Sequence, residues 1–159
     1  MQMSIGKEKL LNEIGSVFSL EEMPENSELT FHSNDCRECD ELRYIMEGYR
    51  GKEITGEVID ALHQSLSLLS PKSYRWILPY YMSFCLSPEA EYNQMEAQFL
   101  IYNLRPSEAF TNETRIRLSL LNASQIECIC HFLSWCCGRD AYKEYFKDIE
   151  KAILFLKSV

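Results

Sequence analysis

Apolar residues recur every three to four positions along most of this chain, which is typical of amphipathic α-helices. The spacing predicts helices over Ser4–Phe18, Cys36–Tyr49, Thr55–Leu69, Ser87–Leu104, Ser124–Gly138 and Asp140–Leu156. Asp35 and Thr55 suit the N-cap positions of two of them, and Ser124 with Glu127 has the pattern of a capping box. No two strand-like segments are joined by a hairpin turn.

The segment Leu66–Leu86 is rich in aromatic residues and includes Trp76. Ser70-Pro71 predicts a helix start, because serine caps a helix and proline is tolerated at its first position. Pro79 removes one helical hydrogen bond, so we expect a kink or a break there. The sequence therefore predicts an all-α, single-domain bundle over residues 1–159, with about seven helices around a proline-interrupted central helix.

Two further segments have no clear helical pattern. Ser19–Asn34 contains Pro24 and many polar turn-forming residues, which predicts the longest loop of the protein. A loop of this length in a compact domain is either functional or simply mobile. Thr114–Leu121 alternates apolar and polar residues over part of its length, so both a short helix and a strand fit it.

Composition and charge narrow the classes of partner. The chain has 159 residues, 46% of them hydrophobic, which is typical of one globular domain. Its formal net charge of −8 repels phosphate groups, so we expect neither nucleic acid nor a membrane as partner. The same charge is compatible with a basic protein partner and also favours solubility.

The sequence favours a cytoplasmic location. Its first residues have no apolar stretch of signal-peptide length, and its longest apolar run is too short to span a bilayer. The seven cysteines are an odd number, which is typical of a reducing compartment where thiols pack as small apolar groups.

The sharpest local motif is a Cys-x-x-Cys pair at Cys36 and Cys39, with His32 four residues upstream. Two thiolates and two imidazoles form a structural zinc site, and His63 is the best candidate for the fourth ligand. Two buried thiols packed against a neighbouring helix are the alternative. Redox catalysis is disfavoured, because acidic neighbours such as Asp35 oppose formation of a thiolate.

A second cysteine group lies on a single predicted helix and consists of Cys128, Cys130, Cys136 and Cys137, together with His131. One helix cannot close a tetrahedral metal site alone, so we expect these cysteines to be core residues. The chain has no Gly-x-Ser-x-Gly elbow and no glycine-rich phosphate loop. The sequence therefore indicates no catalytic residue, no organic cofactor and no cofactor-binding residue.

The acidic Cys-x-Glu-Cys box within Asp35–Glu41 is followed by a Ser-Pro and Leu-Pro segment, Leu66–Met82. Together they resemble a family of small bacterial proteins of unknown function, over roughly Thr30–Trp135. His63 stands where that family has a histidine, which supports its role as a zinc ligand. Lys72 replaces the family's usual glutamate, which weakens any shared carboxylate chemistry. The resemblance implies a common fold and no known activity.

These observations favour a non-enzymatic module that binds another protein through an exposed apolar or acidic surface. The alternative is a metalloprotein with zinc at the Cys-x-x-Cys box. The sequence does not identify the protein partner.

Overall fold

The computed structural model describes residues 6–93 and 95–159, and its regular structure is helical. Nine α-helices lie in these ranges: α1 Lys7–Val17, α2 Arg37–Glu47, α3 Gly56–Leu62, α4 Pro71–Cys85, α5 Pro88–Asn93, α6 Met95–Leu104, α7 Thr111–Arg117, α8 Ala123–Cys137 and α9 Phe146–Lys157. Short 3-10 segments are Asn26–Glu28, His63–Leu68, Glu108–Phe110 and Asp140–Tyr145. The all-α, single-domain prediction is confirmed.

Helix α4 lies at the centre, as predicted. Ser70 caps it by accepting a hydrogen bond from the Ser73 N–H at 3.1 Å, and Pro71 occupies the first turn. Trp76 and Leu78 are both buried. Helices α1, α3, α5, α6 and α7 all contact α4, so its apolar surface is covered from several sides.

The expected break at Pro79 does not occur, because α4 is a single α-helix from Pro71 to Cys85 with Pro79 inside it. A proline inside a helix costs about 3 kcal/mol. Ile77, Leu78 and Tyr81 are fully buried around it, and burying each such side chain contributes ~1.5–3 kcal/mol. Tertiary packing therefore outweighs the missing hydrogen bond.

Helices α8 and α9 form the second half of the core. They pack against each other, α8 also contacts α1, and α9 also contacts α6. One apolar cluster extends from Leu10 in α1 to Leu156 in α9. None of the helices in the described ranges has the length and apolar character needed to cross a membrane.

Several predicted boundaries change. The segment predicted as Thr55–Leu69 is α3 followed by the 3-10 segment His63–Leu68, and Ser87–Leu104 holds α5 and α6. The ambiguous segment Thr114–Leu121 begins within helix α7, which ends at Arg117. The first predicted helix corresponds to α1, while Ser4 and Ile5 lie outside the described residues.

The loop Ser19–Asn34 is bonded to the N-terminal end of α4. The Ser70 hydroxyl donates to the Glu28 carbonyl at 2.6 Å, and the Ser73 hydroxyl donates to the Leu29 carbonyl at 2.7 Å. Glu21 forms an ion pair with Arg75, with a closest N–O distance of 2.9 Å. These contacts explain how a segment with little regular structure follows a defined path.

Candidate functional site

The Cys-x-x-Cys pair lies at the start of α2. Cys36, and not Asp35, is the N-cap, and its sulfur accepts a hydrogen bond from the Cys39 N–H at 3.3 Å. Asp35 has a φ of 57°, a left-handed conformation that aspartate tolerates better than most residues. The predicted cap is therefore wrong by one residue, because the backbone turns through Asp35 before the helix begins.

The two thiols differ in their surroundings. Cys39 is fully buried, whereas Cys36 is half-buried. Burial, and then the hydrogen bond with the neighbouring Cys36 sulfur, raise the pKa of the Cys39 thiol above its usual value. A raised pKa favours the neutral thiol at Cys39, which disfavours thiolate redox chemistry.

The two histidines proposed as zinc ligands lie in different environments. The His32 ring is exposed and packs edge-on against Phe31. His63 begins the 3-10 segment after α3, where its Nδ1 lies 3.8 Å from Asp60 Oδ1 and its ring stacks on Phe99. Zinc bound by Cys36 and Cys39 with these histidines stays a prediction.

A different set of ligand-type groups does converge. Among the described residues, Asp60, His63 and Glu96 form the one set of three His, Cys, Asp or Glu side chains with ligand atoms within 4.8 Å of one another. Asp60 and His63 are three residues apart, so their helical positions place them on one face. Glu96 comes from the first turn of α6, a pairing that no sequence spacing could predict.

The second cysteine group is on α8, as predicted. Cys128 and Cys136 are fully buried, and Cys130 and Cys137 are half-buried. Burial is the main cause that raises the pKa of each of the four thiols. His131 faces outward and bonds through Nδ1 to the Glu13 carboxylate at 2.8 Å, which joins α8 to α1.

An open groove of about 730 Å³ is lined by residues of α8, of α9 and of the connection from α7 to α8. Eight of its fourteen lining residues are apolar, namely Leu118, Leu121, Ala123, Ile126, Cys130, Ile153, Leu156 and Val159. Val159 is 48% exposed, and nearby Leu120 is 42% exposed.

The groove has few charged groups. Glu127, His131 and Lys157 line it, and His131 bonds to Glu13. The sequence did not predict this surface. The spacing of Ile126 and Cys130 on one face of α8 is the signal that could have indicated it, but the same spacing is typical of a core helix.

The fold and these surfaces define the class of protein: an all-α, single-domain helical bundle with a surface groove and a partly buried histidine–carboxylate cluster. The chain belongs to a family of unknown function, DUF6714, which matches residues 11–156. The match confirms the expectation of an uncharacterised domain. No curated protein and no solved structure matches the chain.

Proposed function

We propose that this protein is a non-enzymatic binding module that acts in the cytoplasm by holding an amphipathic, basic helix of a partner protein in the groove between α8 and α9. The observation that carries the proposal is the groove itself. It combines apolar lining residues with open access to solvent. Exposed apolar surfaces bordered by polar residues are typical of protein interaction sites.

The shape of the groove favours a helix as the bound element. Ile126 and Cys130 on α8 and Ile153 and Leu156 on α9 line it, and each pair lies on one face of its helix. A partner helix placed along these faces would insert apolar residues at positions i, i+4 and i+7, which is a recurring mode of peptide recognition.

Charge favours a basic partner. The charges of the lining residues Glu127 and Lys157 offset each other. The whole chain, however, carries a formal net charge of −8. A field of that sign accelerates association with a positively charged helix and disfavours an acidic one.

The proposal is tested with a synthetic amphipathic helical peptide built from leucine and lysine, titrated into the full-length protein while backbone amide chemical shifts are recorded. We expect saturable binding, with the shift changes concentrated on α8, α9 and the turn before α8. Replacing Ile126 by Asn should weaken binding by about tenfold or more, which corresponds to ~1.4 kcal/mol for one apolar contact.

Ile45→Asn is the matched control, because Ile45 is 46% exposed on α2 and does not line the groove. Val159→Asn is a second groove variant at an exposed position, where the substitution leaves the core intact. A peptide with glutamate in place of lysine should bind more weakly. Equal affinity of both peptides, shift changes elsewhere, or self-association of the protein through the groove would contradict the proposal.

A further inference from the structure

The cluster of Asp60, His63 and Glu96 is made by three consecutive or packed elements. Asp60 lies in α3, His63 begins the 3-10 segment that follows α3, and Glu96 lies in the first turn of α6. Helix α6 packs on the 3-10 segment. The ligand atoms of the three side chains lie within 4.8 Å of one another.

Two atoms of this cluster are buried without a hydrogen-bond partner. Glu96 is 2% exposed, and its Oε2 has no partner; His63 Nδ1 has none either. A buried polar atom without a partner costs about 1–3 kcal/mol, and more when it is charged. Both atoms can donate an electron pair, so a cation between them would satisfy both at once.

The two carboxyl groups also repel each other when both are ionised. Burial, and then the hydrogen bond and negative charge of Asp60, raise the pKa of Glu96 to about 7, with a smaller contribution from the charge of Glu89. A second carboxylate close to a buried one is unfavourable unless a proton or a cation lies between them.

The surrounding residues hold two of the three groups in place. The Phe99 ring stacks on the His63 ring, with centroids 4.7 Å apart and an angle of 21° between the planes. The buried Tyr81 hydroxyl donates to the backbone carbonyl of Glu96 at 2.6 Å, which fixes the first turn of α6. Such outer contacts orient ligands in metal sites.

We propose that Asp60, His63 and Glu96 bind a divalent first-row transition-metal cation of the Zn²⁺ or Mn²⁺ type, with the remaining coordination positions filled by water. One imidazole nitrogen and two carboxylate oxygens form a ligand set that suits these ions better than Mg²⁺. Ligand atoms lie ~2.0–2.2 Å from such ions, so two of them are at most about 4.4 Å apart. Small side-chain rotations bring the three groups into that range.

The site is reached from the side of Asp60, whose side chain is 59% exposed, while His63 is only 11% exposed. It shares no ligand with the groove, and of the predicted zinc ligands it includes only His63. The proposal is therefore independent of the proposed partner binding.

The test is titration of the chelator-treated, full-length protein with ZnCl₂, MnCl₂ and MgCl₂, measured by calorimetry and by the melting temperature. We expect about one equivalent of Zn²⁺ or Mn²⁺ to bind and raise the melting temperature, as mass action requires for a ligand of the folded state. Glu96→Gln and His63→Gln should each weaken binding by about tenfold or more.

Glu96→Gln keeps the shape of the side chain and removes its charge, and far-UV circular dichroism checks that the variant is folded. Asp60→Asn is a second, exposed variant with the same expected loss. Glu89→Gln, which removes a nearby exposed carboxylate outside the cluster, is the matched control and should bind the metal normally.

Substitution with Co²⁺ separates this cluster from the cysteine pair, because thiolate ligands give an intense charge-transfer absorption that nitrogen and oxygen ligands lack. We expect no such band, and unchanged binding in a Cys36→Ser, Cys39→Ser double variant. Absence of saturable binding, unchanged affinity in Glu96→Gln, or loss of binding only in the cysteine variant would overturn the proposal.

Discussion

Arg117 is a buried charged residue whose guanidinium is held by backbone carbonyls of another segment. It is 2% exposed on α7 and has no carboxylate partner at hydrogen-bond distance among the described residues. Its guanidinium donates to the carbonyls of Leu69 at 3.2 Å and Ser67 at 2.5 Å, and it stacks over the Phe31 ring. Burial lowers the pKa of Arg117, yet arginine stays charged in proteins.

We predict that Arg117→Ala lowers the free energy of unfolding by about 3 kcal/mol, because the buried Leu69 carbonyl and the part-buried Ser67 carbonyl lose their donor and a cavity is left. Arg117→Lys should lose about half as much, since one ammonium cannot reproduce the planar fork. Urea denaturation measures both. Arg37→Ala, at a side chain that is 92% exposed, is the control; a loss in Arg117→Ala no larger than in this control would contradict the assigned role.

At the scale of helices, the start of α8 has a capping box, as the sequence predicted, but the box is formed by other residues than the predicted ones. The sequence indicated a capping box at Ser124 and Glu127. The structure has it at Asn122 and Gln125, with both reciprocal hydrogen bonds at 2.9 Å. The Gln125 side chain also donates to the Val17 carbonyl of α1 at 3.2 Å, so a tertiary contact selects this register.

We predict that Asn122→Ala lowers the free energy of unfolding by about 1 kcal/mol, the usual loss for an N-cap. Ser124→Ala should change it by less than about 0.5 kcal/mol, because Ser124 is an exposed residue inside the helix. Chemical denaturation of the two single variants compares the observed cap with the predicted one. A larger effect at Ser124 would favour the sequence-based register.

At the scale of the whole molecule, both tryptophans report on one core. Trp76 in α4 and Trp135 in α8 are buried, 2% and 5% exposed, and belong to the same apolar cluster. We predict that unfolding followed by tryptophan fluorescence and by far-UV circular dichroism has the same midpoint, because a single core of this size unfolds cooperatively.

The single variants Trp76→Phe and Trp135→Phe extend this test, because each keeps one tryptophan whose fluorescence follows its own part of the core. The two variants need not be equally stable. In each of them, however, fluorescence and circular dichroism should still give coincident transitions. Two separated transitions, one seen by Trp76 and another by Trp135, would mean that α8 and α9 unfold apart from the helices around α4.

Much of the fold could be predicted from local patterns. The periodicity of α1, α2 and α8, the Ser70-Pro71 helix start and the burial of Trp76 all follow from spacing and local chemistry. The helix does not break at Pro79, because a local rule about hydrogen bonds does not include the packing that holds both sides of that helix.

The candidate sites could be predicted only in part. His63 was selected as a possible ligand, and its i, i+3 relation to Asp60 is visible in the sequence. Glu96 is 33 positions further along the chain than His63 (96 minus 63), and nothing local marks it as buried. The groove between α8 and α9 was not predicted, because an apolar helix face has the same sequence pattern whether another helix covers it or solvent reaches it.

The sequence by itself determined the helical class, the central position of the segment after Ser70 and the acidic character of the protein, since these depend on residue type and local spacing. Only the tertiary structure decided which polar groups meet. Bringing Glu96 to His63, or Arg117 to the Leu69 carbonyl, requires helices distant in sequence to pack together. That arrangement results from how the whole core fills space, which no single segment encodes.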